Sequence, residues 1–215
     1  MTRPVLHGYF RSSASWRVRI ALNLKGVDYE SRPVHLRAGD QRGEDFLALN
    51  PQGLVPVLEI DGHVLTQSLA ICDYLDATRP EPLLTPGDAA AQARIRAFAQ
   101  AIACDIHPVQ NLRILKRIAA LTGRKEDGPA WARRTIEDGF DALLALLPGD
   151  GGGFCFGGDG PTLADICLVP QLANARRFGV DLGPYGALER IEEECARLPA
   201  FAAAHPDRQP DFEAG

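Results

Sequence analysis

The chain has 215 residues, 46% of them apolar and 24% charged. That composition excludes wholesale disorder, and the length allows one large domain or two small ones with a core that needs no disulfide staples. The net charge of −5 argues against broad nucleic-acid binding or attachment to an anionic membrane, yet leaves room for a small acidic ligand held by local arginines. In chain order, Val5 to Tyr9 reads as a strand. Ser12 to Lys25 reads as a helix, with Trp16, Ile20 and Leu24 on one face and Gly26 as its stop. Tyr29 to Val34 alternates like a second strand, and Asp45 to Leu49 makes a short helical turn. Asn50-Pro51-Gln52-Gly53 is a turn cluster. Asp61-Gly62 joins Pro56–Ile60 to His63–Leu65 as a hairpin. A helix then opens near Ser68 and ends before Pro80. The order β-α-β-α-β-β-α predicts a small mixed sheet with helices on its faces.

Beyond Pro82 every pattern is helical. Ala89 to Leu121 is a long helical stretch that Pro108 should kink or interrupt. Pro129 to Leu147 is another helix, followed by a glycine-rich loop over Pro148 to Gly160. Thr162-Leu163-Ala164-Asp165 has the form of a capping box and starts a helix running to about Phe178. Tyr185 to Arg197 is a last helix, and Pro206 to Gly215 reads as a loose tail. Two domains follow, 1–83 mixed α/β and 88–215 all-helical. No run of about 18 apolar residues predicts a membrane span, and Met1-Thr2-Arg3-Pro4 reads as no signal peptide. The five cysteines, at 72, 104, 155, 167 and 195, are odd in number, widely spaced and without a C-x-x-C pair. They read as reduced, buried apolar side chains of a cytoplasmic protein, not as a disulfide framework or a zinc site.

Three places could carry chemistry. Phe10-Arg11-Ser12-Ser13-Ala14-Ser15-Trp16-Arg17 puts hydroxyls and arginines at a helix start. Free N–H groups and the helix dipole there favour an anion, and a hydroxyl can donate to a thiolate; ordinary N-capping is the alternative. Val55-Pro56 heads a strand, where a cis bond would leave backbone groups free for a peptide ligand and a trans bond would not. Gln67-Ser68 precedes a helix, where Ser68 can cap or the helix end can take a ligand carboxylate. All three fall at strand edges, where open α/β folds bind ligands.

Ser12-Ser13-Ala14-Ser15-Trp16-Arg17-Val18-Arg19-Ile20-Ala21-Leu22 resembles the signature of the zeta-class glutathione transferases, the family of the maleylacetoacetate isomerases. The resemblance continues through Ala48–Pro51, Leu54-Val55-Pro56, Gln67–Ile71 and Pro108–Leu112, and on to Ala164–Gln171 and Gln209-Pro210-Asp211. It implies a thioredoxin-like N-terminal domain followed by an all-α C-terminal domain, the glutathione transferase fold, in a homodimer that takes glutathione as cofactor. By position, it implies that Val55 before a cis Pro56 pairs with the cysteinyl backbone of glutathione. Gln67 and Ser68 hold the γ-glutamyl end, with Arg17, His35 and Gln52 also near the cofactor. From the helical domain, Gln110 and Asn111 close over the site, with His107 also near the cofactor. Ser12 or its neighbour Ser13 activates the thiol. The family signature commonly has cysteine where this chain has Ala14, which removes the nucleophile of a mixed-disulfide mechanism but leaves isomerisation intact.

The implied reaction is the cis–trans isomerisation of maleylacetoacetate to fumarylacetoacetate in aromatic amino-acid breakdown. Glutathione thiolate adds to the double bond, the resulting single bond turns, and elimination restores the double bond as trans. Arg11, His107, Arg113 and Arg176 are candidates for the carboxylates of a small acidic substrate, because arginine forks match carboxylates. Maleylpyruvate isomerisation, conjugation of glutathione to electrophilic halides, and a non-enzymatic glutathione carrier are the competing readings.

Overall fold

The computed structural model describes residues 3–149 and 153–213. By its internal contacts the chain divides into two units, one of residues up to Leu84 together with those from Arg197 on, the other Thr85–Ala196. In the first unit, β1 (Val5–Gly8), α1 (Ser13–Leu24), β2 (Glu30–Pro33), α2 (Glu44–Leu49), β3 (Val57–Ile60), β4 (His63–Thr66) and α3 (Ser68–Thr78) follow the expected order. The sheet runs β2-β1-β3-β4, with β1 parallel to β2 and antiparallel to β3, and β3 antiparallel to β4. The hairpin turns as its sequence requires, with positive φ at both Asp61 and Gly62 (53° and 81°).

The pleat sorts the core. His7 and Val57 are register partners, and Val57 joins Val34 and Phe46 in one cluster, so this face packs on α2. Leu6 and Leu58, also partners, point to the opposite face and are fully buried. Helix α1 packs against α3. It ends in a Schellman motif, in which Val27 N–H donates to Leu22 C=O (2.9 Å) and Gly26 N–H to Asn23 C=O (3.1 Å), with Gly26 at φ +63°.

The second unit holds α4 (Ala89–Gln100), α5 (Leu112–Thr122), α6 (Asp127–Leu146), α7 (Leu163–Arg177) and α8 (Gly186–Ala196). The interruption at Pro108 is present but begins earlier, as a π-helical turn over Ala101–Ile106 followed by a 3-10 turn over Pro108–Gln110. Proline at 108 cannot donate to the carbonyl four residues back, so the preceding turn cannot close as an α-turn. Gly139 on α6 accommodates the bulge, since a Cβ there would lie 2.3 Å from Ile106 Cδ1. The predicted capping box is formed. Asp165 accepts from Thr162 N–H (2.7 Å), Thr162 hydroxyl (2.8 Å) and Cys155 N–H (2.7 Å). Burial pushes the Asp165 carboxyl upward against the pull of those donors.

Three expectations change. The tail is not loose, because α9 (Pro199–Ala204) and the residues after it are tied to the first unit. Asn23 donates to Ala200 C=O (2.9 Å) and Asp211 accepts from Phe10 N–H (2.9 Å). The described end of the chain therefore belongs with the α/β unit, whereas the expected boundary put all of 88–215 in the helical domain; Ala214 and Gly215 lie outside the described residues. Cys104 is exposed, since it sits on the bulged π-turn, while Cys72, Cys155, Cys167 and Cys195 are buried as expected. Of the expected glycine-rich loop, Asp150, Gly151 and Gly152 lie outside the described residues.

Candidate active site

Strand register brings the three sequence candidates together. His7 pairs with Val57, and Val57 with Thr66. The turn after β1, the start of β3 and the end of β4 therefore lie side by side at one end of the sheet. That end carries Tyr9–Ser12, Val55-Pro56 and Gln67-Ser68.

Ser12 is the N-cap of α1. Its oxygen accepts from Ser15 N–H (3.2 Å), and its own N–H donates to Tyr9 C=O (3.0 Å). The capping alternative is thus real, and it helps the chemistry. A hydroxyl whose oxygen is taken by a backbone N–H is oriented with its proton left to give to an anion. No acidic residue sits in the first turn of α1 to compete for that position. Ser13 is buried behind it. Gly8 lets the helix approach, because a Cβ there would meet Ser15 Oγ at 3.2 Å. Arg11 stacks its guanidinium over the Phe10 ring, 5.1 Å from the centroid, and makes no ion pair with a described carboxylate.

The Val55-Pro56 bond is cis. The sheet ladder begins at Val57, so the Val55 backbone lies outside it. Asn50, only 3% exposed, shapes the approach. Its amide donates to Leu54 C=O (2.7 Å) and its oxygen accepts from Gln52 N–H (3.1 Å). The sequence marked Asn50 as a turn residue, and nothing in its spacing distinguished an organising asparagine from a solvated one.

Ser68 does not cap α3. The N-cap is Gln67, which makes no capping bond, and Ser68 instead accepts from Arg17 Nη1 at 3.3 Å. The end of α3 therefore keeps unsatisfied N–H groups, suited to a ligand carboxylate. Gln67 sits at φ +68°, ψ 115°, a conformation a non-glycine residue holds only at a cost of about 1–3 kcal/mol, and such strain collects at ligand sites. Its amide donates to Gln52 Oε1 (2.9 Å), which joins two expected cofactor residues. Arg17 is 1% exposed, and its Nε and Nη2 have no partner among the described residues.

His35 is committed elsewhere. Its Nδ1 accepts from Ala38 N–H (2.9 Å), which puts the proton on Nε2, and Nε2 donates to Glu213 (3.0 Å). In the second unit, His107 stands between the π-turn and the 3-10 turn. Gln110 is buried and donates to Gln171 Oε1 (3.0 Å), and Asn111 caps α5 through Ile114 N–H (3.3 Å). Both side chains expected to close over the cofactor thus hold their own segment in place. Gln171 had no signal beyond its position in a helix. Arg113 is exposed on α5, with no ion pair to a described residue. Arg176 is half-exposed and already paired. Its fork binds Glu192 (2.7 Å) and Glu189 (3.2 Å) of α8, and their charges hold it firmly cationic. No cluster of three or more metal-ligating side chains occurs among the described residues.

A mixed four-stranded sheet with helix N-termini at one end, followed by a separate helical unit, defines a class of fold that comparison makes definite. Residues 11–78 match the family described as "Glutathione S-transferase, N-terminal domain" and residues 88–204 match "Glutathione S-transferase, C-terminal domain". The chain belongs to the glutathione S-transferase family, in its zeta class. It is 51% identical over 209 residues to a maleylacetoacetate isomerase of Rhizobium meliloti, covering 95% of this chain and 96% of that one. A holo structure of a bacterial zeta-class maleylpyruvate isomerase superposes with a TM-score of 0.93 at 46% identity, covering 97% of this chain and all of the other. A maleylacetoacetate isomerase of Anaeromyxobacter dehalogenans, solved with dicarboxyethyl glutathione and citrate in its active site, gives 0.86 at 46% identity over 98% and 97% of the two chains.

Proposed function

We propose that the protein is a glutathione-dependent cis–trans isomerase that converts maleylacetoacetate to fumarylacetoacetate. The observation that carries this reading is the Ser12 hydroxyl, held by Ser15 N–H at an acid-free helix start beside an uncapped second helix. Glutathione lies along that sheet end. Its α-carboxylate meets the N-terminus of α3 at Gln67 and Ser68, its cysteinyl backbone pairs with Val55, and its sulfur reaches Ser12. The hydroxyl proton and the dipole of α1 stabilise the thiolate.

Thiolate sulfur then adds to one carbon of the maleyl double bond, and the π pair moves onto the conjugated carbonyl as an enolate. The former double bond is now single and rotates. The enolate pair returns, the C–S bond breaks, and thiolate leaves a trans double bond, so glutathione is regenerated. Arg11 and Arg113, neither ion-paired to a described carboxylate, receive the substrate's carboxylate and the enolate oxygen. Dicarboxyethyl glutathione in the Anaeromyxobacter relative is glutathione carrying a two-carboxyl substituent, which accords with an addition route. Position 14 holds alanine and not cysteine, so the sulfur that reacts at this turn arrives with the cofactor.

The test is an account of glutathione. Supplied with maleylacetoacetate, the enzyme should form fumarylacetoacetate while free thiol stays constant. Thiol consumed in step with product would mean conjugation, and retention on immobilised glutathione without turnover would mean a carrier. Maleylpyruvate is the second substrate to compare, because the structure that superposes at 0.93 is of an isomerase of that acid. We place the protein in the cytoplasm as a homodimer serving aromatic amino-acid breakdown. Among the described residues no helix is long and apolar enough to cross a membrane.

A further inference from the structure

The motif Gln209-Pro210-Asp211 has no part in the reaction as derived, yet it ends on the turn that carries Ser12. Asp211 Oδ2 accepts from Phe10 N–H at 2.9 Å. On the other side of the same residue, Arg19 Nη2 donates to Phe10 C=O at 2.9 Å, and Nη1 of the same guanidinium reaches Tyr9 C=O at 3.4 Å. The third arm, Nε, donates to Ala204 C=O at the end of α9 (2.9 Å). Arg19 is 3% exposed, and Asp211 faces it as a charge partner. Gln209 locks the strap to α9 through Ala203 C=O (3.1 Å) and His205 C=O (2.9 Å), and the Phe212 ring stands edge-on to Phe10 at 5.6 Å.

We propose that Arg19 and Asp211 are positioning residues for thiol activation, clamping Phe10 from its carbonyl and its amide so that the following Ser12 hydroxyl is held where it donates to the glutathione thiolate. The inference rests on the glutathione reading above. A donor to a thiolate depends steeply on placement. Other bonds tie the turn to itself and to α1, among them Ser12 N–H to Tyr9 C=O, Ser15 N–H to Ser12 Oγ (3.2 Å), Trp16 N–H to Ser12 C=O (2.9 Å) and the long bond from Tyr9 N–H to Ser15 Oγ (3.4 Å), and none of them holds Phe10. Charge-assisted bonds from a buried guanidinium and a carboxylate are the stiffest restraints the turn has.

Amide hydrogen exchange on the ligand-free protein reads the clamp itself. In Asp211→Ala, exchange across residues 9–15 should rise by about tenfold while α3 and β3 are unchanged. Ultraviolet titration of bound glutathione reads the consequence. The thiolate pKa should move up by about one unit and kcat at neutral pH fall by about tenfold, with the glutathione KM nearly constant. Asp211→Asn keeps an acceptor for Phe10 N–H and should restore most of both. Unchanged exchange in Asp211→Ala overturns the clamp. Raised exchange with unchanged titration and kcat overturns its catalytic role, as does an Asp211→Asn enzyme as slow as the alanine variant. Should Asp211→Ala not fold, the asparagine result decides. A wild-type protein that does not depress the thiol pKa of glutathione would instead sink the glutathione reading, and the exchange result would stand apart from it.

Discussion

Ser12 does two jobs with one side chain, and they separate on mutation. Ser12→Ala should cost about 1 kcal/mol of stability as a lost N-cap and lower kcat by about a hundredfold as a lost donor, with glutathione binding largely kept. Ser12→Thr keeps cap and donor and should recover most of both. Denaturant unfolding beside steady-state kinetics checks the split. Equal kcat in Ser12 and alanine enzymes would remove the hydroxyl from the mechanism. Arg176 is the opposite case. The sequence placed it on a substrate carboxylate, but Glu189 and Glu192 already fill its fork. Arg176→Ala should leave the substrate KM within about twofold and cost under about 1 kcal/mol, as for a half-exposed pair. Arg113→Ala should raise that KM at least tenfold, worth about 1.4 kcal/mol or more of lost carboxylate binding. Thiol chemistry gives a further check. Burial and the nearby Asp165 charge push the Cys155 thiol well up, and burial does the same to Cys195. Of the five cysteines, one, Cys104, should react with an exposed-thiol reagent in the native protein, and all five after unfolding.

At the level of elements, the local signals were strong where chemistry forces geometry. Asp61-Gly62, Gly26 after Lys25, and Thr162 to Asp165 each dictated a turn, a stop and a start, and each is present. What pattern could not supply was partnership. The cap expected at Ser68 is absent because Arg17, fifty-one residues earlier in the chain, claims the hydroxyl. The break before Pro108 spreads over six residues as a π-turn because Gly139, far along the chain, leaves room for Ile106. Two predictions belong here. Gln67→Gly should raise unliganded stability by about 1 kcal/mol, as released strain outweighs glycine's added chain entropy, while weakening glutathione binding. Asp165→Ala strands three donors at the start of α7 and should cost about 3 kcal/mol or more, measured by denaturant unfolding.

For the whole molecule, composition and order sufficed to recognise an α/β unit followed by helices. They missed that the last described residues return to the first unit, since a short run such as Pro206–Glu213 carries no periodicity and its destination is fixed by Phe10 and His35, which bond Asp211 and Glu213. The first unit is therefore discontinuous in sequence, with Thr85–Ala196 inserted between its parts. A fragment ending at Leu84 lacks α9 and the strap, so it should bind glutathione poorly even if its sheet forms, and adding residues 197–215 as a separate peptide should recover part of that binding. Synthesis imposes the same dependence in time. Phe10 and Asp211 are 201 residues apart in the chain, so the serine turn leaves the ribosome long before the carboxylate that clamps it. A nascent chain thus carries Ser12 well before that turn is closed, and full thiol activation waits until Asp211 has emerged.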